Sequence, residues 1–280
     1  MNPVHPPGHP ASPQAIAARF VQARLAGRAL DGFPGETPPD LGAGYVIQDL
    51  AIGLWPDRIA GWKVGYISPE RRDHAGDDRL VGPIFAAAVW PQAPGGSNEV
   101  PVFVGGFAAV EAEYVFVLAA DAPAAKTAWT ADEALALAGA LHIGIETAGS
   151  PLATINVLGP AVVVSDFGNN AGLVLGPEIQ GWRDLDEASL RCETFIDGAS
   201  VGQGGAQSVP GGLGAALAFA LGRCARRGIP LRAGALVTTG AATGIHDILP
   251  GQHARIAFHP GGELQCRALP ATATTGTAAP

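Results

Sequence analysis

The chain has 280 residues, of which 48% are hydrophobic and 15% charged, and this balance predicts a globular protein with a large core. Its formal net charge of −8, without a long basic run, argues against nucleic acid as a partner. No apolar run reaches the roughly 20 residues of a spanning helix, and the first residues lack the layout of a signal peptide, so we expect a cytoplasmic protein with no membrane partner.

The N-terminal part of the chain is predicted to be helical. Residues 1–11 are rich in proline, and we expect a disordered tail there. Ser12-Pro13 is typical of a helix start and predicts a helix to about Ala26, and a second helix is predicted over about Ala43–Leu54. We therefore expect a helical region, residues 12–60, that packs on the rest of the protein.

The remainder of the chain combines many short strands with few helices. The capping-box spacing of Thr130 and Glu133 predicts one helix, and a longer helix is predicted over about Leu213–Arg227. The predicted strands are Ile59–Tyr66, Phe107–Leu118, Leu141–Thr147, Arg191–Ile196, Ala235–Thr239, Ala254–Phe258 and Glu263–Arg267. This succession predicts an α+β fold with a mixed or rolled sheet over residues 61–268, followed by a second disordered tail, residues 269–280.

Two glutamates interrupt the apolar strand predicted over Phe107–Leu118. Because side chains alternate along a strand, Glu111 and Glu113 share one face, with Cα atoms roughly 6.5–7 Å apart. Their oxygens suit a hard divalent cation, although an edge strand with a solvated Glu-Ala-Glu face gives the same pattern. Glu146 is a third carboxylate within a predicted apolar strand, and the three together would give such an ion an open site.

Two further charged residues are candidates for function. Lys63 lies inside a predicted strand, where its ammonium group requires either a carboxylate partner or a ligand. Asp166 follows an apolar segment and precedes Asn169 and Asn170, a pattern that is also typical of a turn cap.

Several segments, in order and spacing, together resemble one known family. They are Gly61-Trp-Lys-Val-Gly65, Glu111-x-Glu113, Glu146, Asp166-Phe-Gly-Asn-Asn-Ala-Gly-Leu-Val-Leu-Gly176, and Thr239-Gly-Ala-Ala-Thr-Gly244 followed by Pro250-Gly. The family is the 2-keto-4-pentenoate hydratase and 2-oxo-3-hexenedioate decarboxylase group of the fumarylacetoacetate hydrolase superfamily. The resemblance runs from about Tyr45 to Arg267, so residues 61–268 would form the catalytic domain.

The resemblance implies a fold, a cofactor and a reaction. The fold is a roll of mixed β-sheets flanked by short helices, usually assembled into homo-oligomers. Mg²⁺ or Mn²⁺ would be held by Glu111, Glu113 and Glu146 and would chelate the carboxylate and 2-oxygen of a small 2-keto acid. Lys63 would bind substrate and act in catalysis, with a pKa that burial and the metal could lower, while Asp166 would be a second catalytic residue and Thr243 a second substrate-binding residue. The expected reaction is hydration of a 2-hydroxy-2,4-dienoate or 2-keto-enoate from aromatic catabolism.

The sequence departs from the hydratases at three places around this site. Ala148 replaces an acidic residue that commonly lies two places after the third glutamate, Ala241 replaces a hydroxyl residue, and Pro210-Gly-Gly-Leu213 replaces a Gly-His-Pro motif. These changes leave three alternatives open: a 2-oxo-3-hexenedioate (4-oxalocrotonate) decarboxylase, a C–C hydrolase of the same superfamily, and a catalytically silent subunit in a complex with a pathway enzyme.

Overall fold

The computed structural model describes residues 11–92 and 96–273, and two β-sheets flanked by short helices form the fold within these ranges. The helices are α1 (Pro13–Leu25), α2 (Leu41–Leu54), α3 (Ala131–Leu135), α4 (Ile155–Leu158), α5 (Pro160–Ser165) and α6 (Leu213–Arg226). The strands are β1 (Ile59–Tyr66), β2 (Arg79–Phe85), β3 (Val89–Pro91), β4 (Asn98–Val102), β5 (Phe107–Leu118), β6 (Ala138–Ser150), β7 (Asn170–Glu178), β8 (Arg191–Ile196), β9 (Ala199–Gly205), β10 (Leu236–Thr238), β11 (Ile245–Asp247), β12 (His253–His259) and β13 (Gly262–Pro270).

Both sheets mix parallel and antiparallel strands. The larger sheet has the order β2-β1-β10-β5-β6-β7-β3, and β11 also pairs with β5. The β1–β10 and β3–β7 pairs are parallel, and the other pairs of this sheet are antiparallel. The smaller sheet has the order β4-β13-β12-β8-β9, with a parallel pair between β13 and β4. The predicted α+β fold with mixed sheets is therefore confirmed.

The longest pairing in the molecule joins β5 to β6. The Val, Phe and Tyr residues of β5 favour an extended strand, and β5 pairs antiparallel with β6 along its whole length, from Phe107 opposite Ser150 to Leu118 opposite Ala138. The strand predicted over 141–147 is therefore longer in the structure, because pairing with β5 extends it into small residues with a weak strand preference.

The two N-terminal helices begin at side-chain caps. The Ser12 hydroxyl accepts a hydrogen bond from the Ala15 N–H at 3.3 Å, as its sequence position predicts for the start of α1. Helix α2 begins at Leu41, two residues earlier than predicted, because Asp40 Oδ1 accepts from the Ala43 N–H at 2.8 Å. Helix α1 packs on α2, and α2 packs on α5.

Most of the two predicted tails lies outside the described residues. The predicted start of the C-terminal tail at residue 269 is wrong, because Leu269 and Pro270 belong to β13 and pair with Pro101 and Val102 of β4. Within the described ranges, no helix combines the length and the hydropathy needed to cross a membrane.

A buried ion pair fastens α1 to the larger sheet. Arg24 is 7% exposed, and its Nε lies 2.5 Å from Asp166 Oδ1. Its guanidinium also donates to the carbonyl oxygens of Gly149 and Asn170, while the Ser150 hydroxyl donates to Asp166 Oδ2 at 2.5 Å. These contacts join α1, the end of β6 and the start of β7 at one point.

Breaking this pair should destabilise the whole fold. Asp166→Ala leaves the Arg24 guanidinium buried without its carboxylate, so we expect the free energy of unfolding to fall by about 3–5 kcal/mol. Urea denaturation followed by circular dichroism measures this loss. Arg232→Ala is the matched control, because its ion pair with Asp121 is largely exposed and should contribute little. A wild-type unfolding midpoint in Asp166→Ala would contradict the stabilising role of the ion pair between Arg24 and Asp166.

Candidate metal centre

The three predicted metal ligands meet on one face of β5 and β6. The strand register places Glu111 directly opposite Glu146, and Glu113 follows two residues along β5 on the same face. One carboxylate oxygen of each residue lies within 4.8 Å of the other two. All three side chains are buried. The solvated edge strand considered above is therefore excluded, because these carboxylates face the interior.

Donors from β10 and the segment after it fix the outer oxygens of the cluster. Glu113 Oε2 accepts from the backbone N–H groups of Thr239, at 2.9 Å, and Gly240, at 2.8 Å. The Thr238 hydroxyl donates to Glu146 Oε2 at 3.1 Å. Among the described residues, no donor bonds to the buried Oε1 atoms of Glu111 and Glu113. Buried oxygens without donors are the groups that a bound cation would satisfy.

Lys63 closes one side of the cluster. Its Nζ lies 3.1 Å from Glu146 Oε1, a charge contact without good hydrogen-bond geometry, and it donates to Asn169 Oδ1 at 3.1 Å. Asn169 Nδ2 donates in turn to Asn156 Oδ1 at 3.1 Å. Lys63 is only 4% exposed, so contacts with protein groups and not hydration compensate the charge of its ammonium group.

A glycine opposite Lys63 makes the contact with Asn169 possible. Gly82 pairs with Lys63 across the β1–β2 ladder, and a Cβ on Gly82 would lie 2.0 Å from the Phe167 carbonyl oxygen. Only glycine therefore allows the segment before β7 to approach this closely. The sequence alone predicts no role for Asn169 or Gly82, because the approach depends on contacts between distant parts of the chain.

Burial and mutual repulsion shift the ionisation of the cluster. Burial raises the pKa of Glu111 to about 7, with Lys63 opposing the shift and Glu146 adding to it. Burial, Glu146 and Glu111 together raise the pKa of Glu113 well above its ordinary value. Burial disfavours the charged form of Lys63, but Glu146 and Glu111 outweigh it and raise the Lys63 pKa. Burial thus acts on the Lys63 pKa in the expected direction, and the two glutamates reverse the sign of the shift in the metal-free protein.

A cavity of about 540 Å³ lies against the cluster and Lys63. Glu111 and Lys63 line it together with Asn169 and the segment from Thr239 to Ala241. Ala241, one of the departures noted above, contributes no hydroxyl group to this wall. The volume suits a small organic molecule.

Two predicted site residues lie elsewhere and their assignments are corrected. Asp166 is fully buried in its contacts with Arg24 and Ser150 and is absent from the cavity wall, so its role is structural. The Thr243 hydroxyl contacts the Thr194 hydroxyl at 2.8 Å and His246 Nε2 at 3.2 Å, also away from the cavity wall. Thr239, from the start of the same motif, lines the cavity in its place.

Comparisons with known proteins identify the family of the chain. No family model matches the chain. The chain is 31% identical over 234 residues to a 2-keto-4-pentenoate hydratase of Burkholderia vietnamiensis. It is 30% identical over 233 residues to a 2-keto-4-pentenoate hydratase of Paraburkholderia phymatum. Each match covers 81% of this chain and 86% of the relative. The structure of 4-oxalocrotonate decarboxylase from Pseudomonas putida G7, complexed with magnesium and adipate, has a similar fold, with a TM-score of 0.74 at 20% identity over 92% of this chain and 97% of that one. The chain therefore belongs to the 2-keto-4-pentenoate hydratase and 2-oxo-3-hexenedioate decarboxylase group of the fumarylacetoacetate hydrolase superfamily.

Proposed function

We propose that this protein is a lyase that depends on Mg²⁺ or Mn²⁺ and adds water to a 2-hydroxy-2,4-dienoate or 2-keto-enoate. The observation that carries the proposal is the cluster of three buried carboxylates, with oxygens that lack donors, beside a cavity of small-molecule size. The hydratases named among its relatives support the choice of reaction.

The residues of the cluster fit a divalent cation in charge and in chemistry. Three carboxylates and one ammonium carry a formal net charge of −2 when all are ionised, and all four groups are buried. An excess of negative charge away from water is costly unless a cation neutralises it. Carboxylate oxygens are the ligands that Mg²⁺ and Mn²⁺ prefer, and three of them leave positions for substrate.

The chain's own residues prepare the site for an anionic, oxygen-rich substrate. The bound metal would supply a Lewis acid that stabilises negative charge developing on the 2-oxygen of a 2-keto acid. The N–H groups of Thr239 and Gly240 hold the Glu113 carboxylate in one orientation. In the metal-free protein Glu146 and Glu111 raise the Lys63 pKa, so its ammonium group would bind a substrate carboxylate or donate a proton.

Decarboxylation of a substrate of the same group is the second candidate reaction. Hydration additionally requires a group that activates a water molecule, and Asp247 is the carboxylate of the described cavity wall that lies outside the proposed ligand set. Loss of CO₂ from 2-oxo-3-hexenedioate requires only the same stabilisation of charge on the 2-oxygen. Release of CO₂ distinguishes the two reactions.

The proposed reaction can be followed directly in solution. The purified protein should remove the dienol absorbance of 2-hydroxypenta-2,4-dienoate in the presence of Mg²⁺, and EDTA should stop it. Lys63→Met should lower kcat by about 100-fold or more, because the protonated group beside the substrate is lost. A rate equal to that without enzyme, for this substrate and its longer homologues, would count against the hydratase.

Metal binding can be measured independently of turnover. Mn²⁺ should bind the wild-type protein more tightly when oxalate, a mimic of the 2-keto carboxylate, is present. Glu113→Ala should weaken Mn²⁺ binding at least about tenfold, because it removes one of three ligands. Glu263→Ala is the control, since Glu263 is an exposed acid on the smaller sheet. Wild-type affinity in Glu113→Ala would refute the assigned ligand set.

The raised carboxyl pKa values predict a specific pH dependence of stability. Protonation of Glu111 favours the folded state, because its pKa of about 7 in the folded protein lies above the ordinary value of 4.5. This stabilisation is fully present below pH 4.5 and is lost as the pH rises through about 7. In EDTA, the unfolding temperature should therefore fall across this window. Mn²⁺ requires ionised carboxylates, so the increase in unfolding temperature that it produces should grow over the same window.

Differential scanning calorimetry between about pH 5 and pH 8, with and without Mn²⁺, measures both trends. Glu111→Gln should reduce both trends, because it removes one of the two carboxyl groups with a raised pKa and one of the three proposed metal ligands. An Mn²⁺-induced increase of equal size at both ends of the range would show that Glu111 does not compete between proton and metal.

A further inference from the structure

The cavity wall carries three cationic side chains among the described residues, although the chain has a formal net charge of −8. Five charged side chains of the described residues line the cavity: Lys63, Arg71, Arg79, Glu111 and Asp247. Lys63 is paired with Glu146, and Glu111 belongs to the metal centre. The two arginines are therefore the cationic groups of the wall that remain to meet a ligand.

Arg79 is a buried cation that is only partly neutralised. It is 6% exposed, and its Nη1 donates to Asp78 Oδ2 at 2.5 Å while its Nη2 donates to the Pro210 carbonyl oxygen. A guanidinium has five N–H donors, so these contacts leave donors for a ligand. The Asp78 side chain is 38% exposed, so water screens its charge and weakens its compensation of Arg79.

Arg79 lies away from the metal centre along the wall. In the antiparallel β1–β2 ladder, Lys63 pairs with Gly82 and Tyr66 pairs with Arg79. The two pairs are three positions apart, which corresponds to about 10 Å along the strands. Arg71 follows β1, and its Nη2 donates to the carbonyl oxygen of Asn156, another residue of the cavity wall.

The wall around Arg79 contains one of the departures from the hydratases. Pro210, which accepts from Arg79, begins the Pro210-Gly-Gly-Leu213 segment. A Cβ on Gly211 would contact Arg79 Nη2 at 3.5 Å, so a larger side chain there would compete with a ligand for the space beside the guanidinium. The altered segment therefore both anchors Arg79 and leaves room next to it.

We propose that Arg79 and Arg71 bind a second carboxylate at the far end of the substrate, so that the site selects 2-oxo dicarboxylates over 2-oxo monocarboxylates of equal length. The inference rests on the proposed function, because it takes the 2-keto carboxylate end of the substrate to lie at the glutamates. Arginine provides the planar, charge-assisted donors that match a carboxylate. A monocarboxylate would leave these donors without an anion.

The test compares two ligands that differ only at the far end, 2-oxoadipate and 2-oxohexanoate. Isothermal titration calorimetry with the Mn²⁺-loaded, full-length protein should show at least about tenfold tighter binding of 2-oxoadipate. Arg79→Gln and Arg71→Gln should each remove most of this preference and leave the affinity for 2-oxohexanoate within about twofold. Arg255→Gln, a substitution on the smaller sheet, should leave both affinities unchanged.

The outcomes separate this inference from the proposed function. Equal wild-type affinity for the two ligands, or a parallel loss of both in the arginine variants, would overturn the inference alone. Absence of Mn²⁺-dependent binding of either ligand would overturn the proposed function and the inference with it. If Arg79→Gln does not fold, because Pro210 loses its donor, the wild-type comparison and Arg71→Gln decide the question.

Discussion

Electrostatic repulsion among three buried carboxylates is the constraint around which the larger sheet is organised. Glu111, Glu113 and Glu146 bring oxygens within 4.8 Å of one another, and their burial leaves little water to screen the repulsion. Donors on the outer oxygens and the ammonium of Lys63 reduce the repulsion but do not cancel it. The pKa values of Glu111 and Glu113 rise for this reason, and the remaining negative charge is the electrostatic condition for binding a divalent cation.

The fold holds this arrangement through contacts that begin far from it. Arg24 of α1 binds Asp166, and that contact fixes the segment that leads to Asn169. Asn169 then accepts from Lys63, which lies beside Glu146. The N-terminal helix thus supports the orientation of Lys63 although no residue of α1 lines the cavity. The buried ion pair is therefore structural, yet its loss would alter the position of Lys63 beside the carboxylate cluster.

Local sequence patterns predicted those parts of the site that depend on residues close together along the chain. Alternation along one strand placed Glu111 and Glu113 on the same face, and the structure confirms this. Glu146 was predicted as a third ligand, but its position opposite Glu111 depends on the β5–β6 register, which the sequence did not define. Asp166 was misread because its partner, Arg24, is 142 positions away. The Thr239–Gly244 motif was located correctly, but which of its threonines reaches the cavity depends on the path of the chain after β10.

The far end of the substrate separates the two candidate reactions, because both use the same stabilisation of charge on the 2-oxygen. Decarboxylation of 2-oxo-3-hexenedioate removes the carboxylate remote from the keto group and turns a charged group into neutral CO₂. A cation bound to that carboxylate stabilises the ground state more than the transition state, so it slows this reaction. Hydration leaves the remote carboxylate charged throughout, so the same contact strengthens binding without opposing the chemical step. The proposed contact of the buried Arg79 with the remote carboxylate therefore favours hydration of a dicarboxylate over its decarboxylation.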